Sequence, residues 1–180
     1  AQGFARALPD VQRRAMASAP VRRELPSLDL ESALRWGIDL AGEGEWANAM
    51  HKHVESVMSA GMPRSWIPMD AHPTNMLVDA GGNVRFIDQD DSFFGPAPLA
   101  MAALTKWCRD ASIYRVYEQS GSPPLADVDW ASFEAVAALA DTWLGWQRVE
   151  RNTHRGDVYG ALEIAEARIR RHLTRCVHLR

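Results

Sequence analysis

Residues 66–91 read WIPMDAHPTNMLVDAGGNVRFIDQDD, and the fold turns on how this stretch divides. It opens with a short apolar run, continues as a polar loop and ends as a tight hairpin. Met76, Leu77 and Val78 form one β-prone run, and Val84, Arg85, Phe86 and Ile87 form another. Between them, Asp79-Ala80-Gly81-Gly82-Asn83 carries strong turn chemistry, so the two runs are expected to pair. A hairpin register brings the loop with Asp70, His72 and Asn75 to face the acidic group Asp88, Asp90 and Asp91 that follows the second run. One amide and several carboxylates converging on one edge make a set of hard oxygen donors. Such a set suits a divalent cation, magnesium in particular, which also keeps waters and substrate phosphate oxygens in its shell.

Around this unit the composition is that of one globular core. The chain has 180 residues, 47% of them hydrophobic, and a formal net charge of −3, so it carries no basic footprint for nucleic acid. No apolar run reaches membrane-spanning length, and residues 1–26 lack the pattern of a signal peptide. Cys108 and Cys176 are too few and too far apart for a metal knuckle or a disulfide framework, which fits a cytoplasmic setting. The chain opens at Ala1 rather than an initiator Met, as a processed or trimmed piece does.

The spacing Asp70-x-x-x-x-Asn75 matches the catalytic loop of protein kinases, and Asp88 follows Asn75 by thirteen residues, where kinases place a second metal-binding Asp. The wording is closer still to the aminoglycoside phosphotransferase and choline kinase superfamily. Asp70-Ala71-His72-Pro73-Thr74-Asn75-Met76-Leu77-Val78 resembles that family's D-x-H-P-x-N-x-L, and Ile87-Asp88 resembles its I-D-[WF]-[DE]. Phe94-Gly95-Pro96, read as opening the next helix, looks like its G-x-P segment. The resemblance covers about thirty residues. It implies that Asp70 orients or deprotonates an acceptor hydroxyl, that Asn75 and Asp88 hold Mg2+, and that His72 supports the loop. Asp90 and Asp91 are then metal support, recognition of a cationic acceptor, or plain solvation. Two positions depart from the family's pattern: Pro68 stands where His is usual, and Pro98-Leu99-Ala100 stands where a helix-opening Asp is usual. Together they imply a rearranged brace for the loop.

Upstream, residues 1–26 combine Arg pairs with Pro9, Pro20 and Pro26 and read as an exposed lead-in or linker remnant, with at most one short helix over 9–18. Residues 27–180 are expected to form the domain. A helix over 28–40 places Leu30, Leu34 and Ile38 on one face, with Ser27 or Asp29 as cap. The next, over 45–60, buries Trp46, Met50, Val54, Val57 and Met58, and Gly61 and Pro63 stop it. His51 and His53, two apart on that helix, point to different faces and do not make a metal pair. Downstream, helices are expected over 99–119, over 130–151 with Asp129 as cap, and over 156–178, where Arg168, Arg170 and Arg171 are a solvated face. Most Trp residues read as core, while Trp107 or Trp143 are candidates to line an acceptor pocket.

The fold class expected is mainly α with a small β-hairpin (α+β), the arrangement of the C-terminal lobe of the protein-kinase-like fold. A kinase also needs a Gly-rich cover and a strand Lys for the nucleotide phosphates. Lys52 lies in a helical pattern and Gly42 and Gly44 flank helices, so an N-terminal β-lobe is expected from an upstream segment or a partner chain. The leading expectation is an ATP- and magnesium-dependent phosphotransferase acting on a hydroxyl of a small molecule: an aminoglycoside or other antibiotic, a sugar or an amino alcohol. Its alternatives are a catalytically inactive kinase-like binding or regulatory module and a metallohydrolase using Asp70, His72 and Asp88. Asp, Asn, Pro and Thr are also ordinary loop residues, but that reading leaves Ile87-Asp88 unexplained.

Overall fold

The structure, a computed structural model, describes residues 1–18, 25–81, 83–87, 91–105, 107–108, 110–122 and 128–153. Helix α1 (Gln2–Ala17) opens the chain, followed by α2 (Leu30–Ala41), α3 (Glu45–Ser59), strand β1 (Arg64–Pro68) and a single 3₁₀ turn (Pro73–Asn75). The hairpin β2 (Met76–Val78) and β3 (Val84–Phe86) comes next, then β4 (Ser92–Pro96), α4 (Leu99–Thr105), α5 (Ser112–Gln119) and the long α6 (Trp130–Thr153). The protein is thus mostly helical with two small antiparallel sheets.

Helix α1 differs from its sequence reading. Phe4, Ala5, Leu8 and Gln12 recur at helical spacing and are all buried, so the segment that looked like an exposed lead-in lays one face into the core. It packs against α5 and β1. Pro9 lies inside the helix and is itself buried, so apolar contact offsets the backbone hydrogen bond its missing N–H removes.

Helices α2 and α3 follow their expected bounds closely. The Asp29 carboxylate accepts the Ser32 N–H at 2.9 Å and opens α2, and Gly42, at φ +85°, closes it by donating to the Ile38 carbonyl. On α3, Trp46, Met50, Val54 and Val57 are buried, whereas Met58, expected inside, is 44% exposed. Helix α6 crosses α2, α3 and α4, and Phe133, Val136, Leu139 and Ala140 fill the space between them. Asp129 caps it as expected, accepting the Ser132 N–H at 2.8 Å.

Two further expectations are corrected. The single helix over 99–119 is two helices. The Leu104 carbonyl takes the Trp107 and Cys108 N–H groups and ends α4, and the Asp110 carboxylate receives the Ser112 N–H at 2.9 Å to start α5. Phe94, Gly95 and Pro96 do not open a helix; they lie on β4, antiparallel to β1 with Trp66 opposite Phe94 and Ser65 opposite Gly95. Gly95 packs closely against β1: a Cβ there would stand 2.8 Å from Ile67 Cδ1, so a larger residue requires that side chain to shift. The helix expected over 156–178 lies outside the described residues.

Candidate active site

The hairpin forms in the expected register, with Met76 opposite Phe86 and Val78 opposite Val84. Asp79 makes the turn: its Oδ1 accepts the N–H groups of Gly81 and Asn83, each at 2.9 Å, and its Oδ2 takes the Asn83 amide. Those bonds, the Asn83 side chain first, hold the Asp79 carboxyl below its usual range. Phe86 anchors the hairpin to the core edge-on, 5.0 Å from the Trp66 ring and 5.1 Å from the Phe4 ring between centroids. Sequence reasoning missed Phe4 because its partners are more than sixty residues away.

Strand β1 delivers Asp70 two residues past its end, and the chain then closes a compact loop. The Asp70 carbonyl accepts the His72 N–H at 2.7 Å, and the His72 carbonyl accepts the Asn75 N–H at 2.9 Å. Across that loop the Asn75 amide nitrogen donates to the Asp70 carboxylate Oδ2 at 3.1 Å and to the Asp70 carbonyl at 3.2 Å. Asp70, His72 and Asn75, singled out from the sequence, therefore share one turn at the mouth of the hairpin. Because the Asn75 nitrogen serves Asp70, its Oδ1 is the atom left to act as a hard oxygen donor.

His72 is held on two sides. Its Nδ1 accepts the Thr74 N–H at 3.2 Å and lies 2.6 Å from the Thr74 hydroxyl. The ring meets Trp107 edge-to-face, with centroids 4.2 Å apart. Trp107, expected as a possible pocket wall, comes from the break between α4 and α5 and is 45% exposed. Trp143, the other such candidate, lies on α6 and packs half-buried against the core.

Asp88 and Asp90 lie outside the described residues, while the residues flanking them are tied to the loop. The Ile87 N–H donates to the Asn75 carbonyl at 2.9 Å, and the Asp91 carbonyl accepts the Met69 N–H at 3.0 Å. Ile87 and Asp91 are thus each hydrogen-bonded to a residue of the stretch 69–75 that carries Asp70 and Asn75. Among the described residues, no three His, Cys, Asp or Glu side chains group as metal ligands. Of the two departures noted above, Pro68 pairs with Ser92 across the β1–β4 sheet, and Pro98 is buried just before α4.

No family model matches the sequence, and no curated protein matches it. Solved structures do. Choline kinase LicA from Streptococcus pneumoniae is similar with a TM-score of 0.66 at 13% identity, over 98% of this chain and 62% of that one. LicA in complex with AMP gives 0.53 at 15% identity over 84% and 55%. A choline/ethanolamine kinase family protein from Mesorhizobium loti gives 0.52 at 14% identity over 86% and 59%. The chain spans under two-thirds of the length of these neighbours. At such identities the likeness is one of fold, and over the part it spans the chain has the protein-kinase-like fold of the choline kinases.

Proposed function

We propose that the chain carries the acceptor base and the metal ligands of an ATP- and magnesium-dependent phosphotransferase acting on a small-molecule hydroxyl. The observation behind this reading is the Asn75 amide donating to the Asp70 carboxylate at 3.1 Å within one turn. That bond holds the carboxylate still, and a fixed carboxylate can accept the proton of an incoming hydroxyl. It also turns Asn75 Oδ1 away from Asp70 as a neutral oxygen ligand, with the Asp88 carboxylate proposed as its partner on Mg2+. Asp90 and Asp91 would support the metal or a cationic acceptor. This donor set is all oxygen, as magnesium prefers, and bound magnesium would neutralise charge on the nucleotide phosphates.

The choline kinases among the structural neighbours, one of them solved with AMP, favour a nucleotide donor and an amino alcohol acceptor. Aminoglycosides, other antibiotics and sugars are the next classes to try. The second reading, an inactive binding module, draws on the two prolines at Pro68 and Pro98, where the resemblance implies bracing polar side chains.

Calorimetry with ATP, with and without magnesium, separates the readings together with a phosphate-transfer assay on choline, ethanolamine and kanamycin. Magnesium-dependent ATP binding that Asp88→Ala abolishes at an unchanged unfolding midpoint is the expected result. Asp70→Asn should lower turnover about 10²–10⁴-fold, the usual contribution of a general base. Equal ATP affinity in Asp88→Ala and parent would remove Asp88 from the metal site. Magnesium-dependent binding without transfer to any acceptor, once a Gly-rich cover and a strand Lys are supplied from an upstream segment or partner chain, would favour the module.

A further inference from the structure

His72 is the hub of the turn that carries Asp70 and Asn75. Its N–H donates to Asp70, its carbonyl accepts from Asn75, and its ring accepts the Thr74 N–H, so all four residues are tied through it. The backbone bonds fix where His72 sits, but they leave its imidazole two rotatable bonds. The bond to Thr74 survives only while the ring lies in one orientation. Among the described residues, Trp107 meets the ring from outside the loop, at an interplanar angle of 83° with centroids 4.2 Å apart. Edge-to-face contact at that distance is the favoured geometry for two aromatic quadrupoles.

Trp107 is in turn set by the end of α4. Its N–H donates to the Leu104 carbonyl at 3.0 Å, and Leu104 is buried in the core at 1% exposure. A contact path thus runs from the core through the end of α4, the indole and the imidazole to the turn. The break between α4 and α5 gives the indole this position, since a continuous helix over 99–119 would have carried it elsewhere. At 45% exposure the indole buries too little surface to be a core residue.

We propose that Trp107 is a positioning residue: through His72 it locks the turn that orients Asp70 and Asn75 for phosphoryl transfer. The catalytic half rests on the function proposed above; the locking of the turn does not. In the full chain, Trp107→Ala should raise the exchange rate of the Thr74 amide about tenfold, the ratio that matches the loss of one aromatic contact. With the Gly-rich cover and strand Lys supplied, turnover should fall by a similar factor of about ten, with the KM values for nucleotide and acceptor within about twofold of parent. Trp107→Phe, which keeps an aromatic edge, should restore both.

Several results would overturn the proposal. One is Thr74 exchange in Trp107→Ala equal to parent. Another is a raised acceptor KM at unchanged kcat, which makes Trp107 a wall of the acceptor site instead. A parent chain that transfers no phosphate even with a Gly-rich cover and a strand Lys supplied would sink the proposed function, while Thr74 exchange would still decide the lock. Should Trp107→Ala fail to fold, His72→Ala takes its place. It removes the ring acceptor and must speed Thr74 exchange by about tenfold or more; parent-like exchange there ends the proposal.

Discussion

Gln12, 3% exposed on α1, serves three groups with one amide. Its nitrogen donates to the carbonyls of Trp66 at 3.2 Å and Ala97 at 2.9 Å, and its oxygen accepts the Tyr117 hydroxyl at 3.1 Å. It therefore joins α1 to β1, to the residue after β4, and to α5. Gln12→Leu strands a buried hydroxyl and should cost about 2–4 kcal/mol of unfolding free energy by denaturant titration. Adding Tyr117→Phe to it should recover part of that loss, and strict additivity of the two changes would refute the shared bond. The phenols of Tyr117 and Tyr114 are both pushed above their usual 10.0 by burial, that of Tyr114 also by its bond to Glu134. Both must stay neutral to remain folded in place. Their stabilisation is complete below pH 10.0 and lost as pH rises through their native values, so alkaline unfolding should begin above pH 10.0 and ease in Tyr117→Phe.

Among the helices, caps and close crossings decide the outcome. Asp29 and Asp129 each hold the N–H of a serine three residues on, and those serine bonds lower both carboxyls below 3.8. Their contribution is full above pH 3.8 and fades as pH falls through the native values, so acid should weaken α2 and α6 at their starts. Asp29→Ala should cost about 1 kcal/mol at pH 7 and less in acid, which unfolding titrations across that range would check. At the α2–α3–α6 crossing, a Cβ on Gly37 would meet Trp46 Cη2 at 2.8 Å and Leu139 Cδ1 at 3.2 Å. Gly37→Ala should therefore destabilise by about 1–3 kcal/mol despite the higher helix propensity of Ala. A more stable variant would show that the Trp46 ring yields.

For the molecule as a whole, the proposed chemistry sets an expectation about activity. Phosphoryl transfer depends on positioning and charge neutralisation, with the phosphates held from both sides. The chain spans 62% or less of the kinases it resembles in fold. Residues 1–180 alone are expected to bind nucleotide weakly and transfer little phosphate. Supplying a Gly-rich cover and a strand Lys, from an upstream segment or a partner chain, should restore turnover, and Asp70→Asn should then remove it. Robust transfer by residues 1–180 alone would show that the nucleotide site lies elsewhere.

Local chemistry was enough for the hairpin, the two capped helices α2 and α6, and the grouping of Asp70, His72 and Asn75. Each depends on residues a few positions apart: Asp79 on Asn83, Asp29 on Ser32, Asp70 on Asn75. The Asp110–Ser112 bond that divides α4 from α5 was of the same kind and could have been read as a helix start. Only the folded chain decided that β4 is a strand, that α1 belongs to the core and that Trp107 lies against His72. Pairing of Trp66 with Phe94, packing of Phe4 on Phe86 and the Trp107–His72 contact join residues 28, 82 and 35 positions apart. They draw on strand pairing, core burial and an edge-to-face ring contact between residues distant in sequence, which leave no local signature at either end.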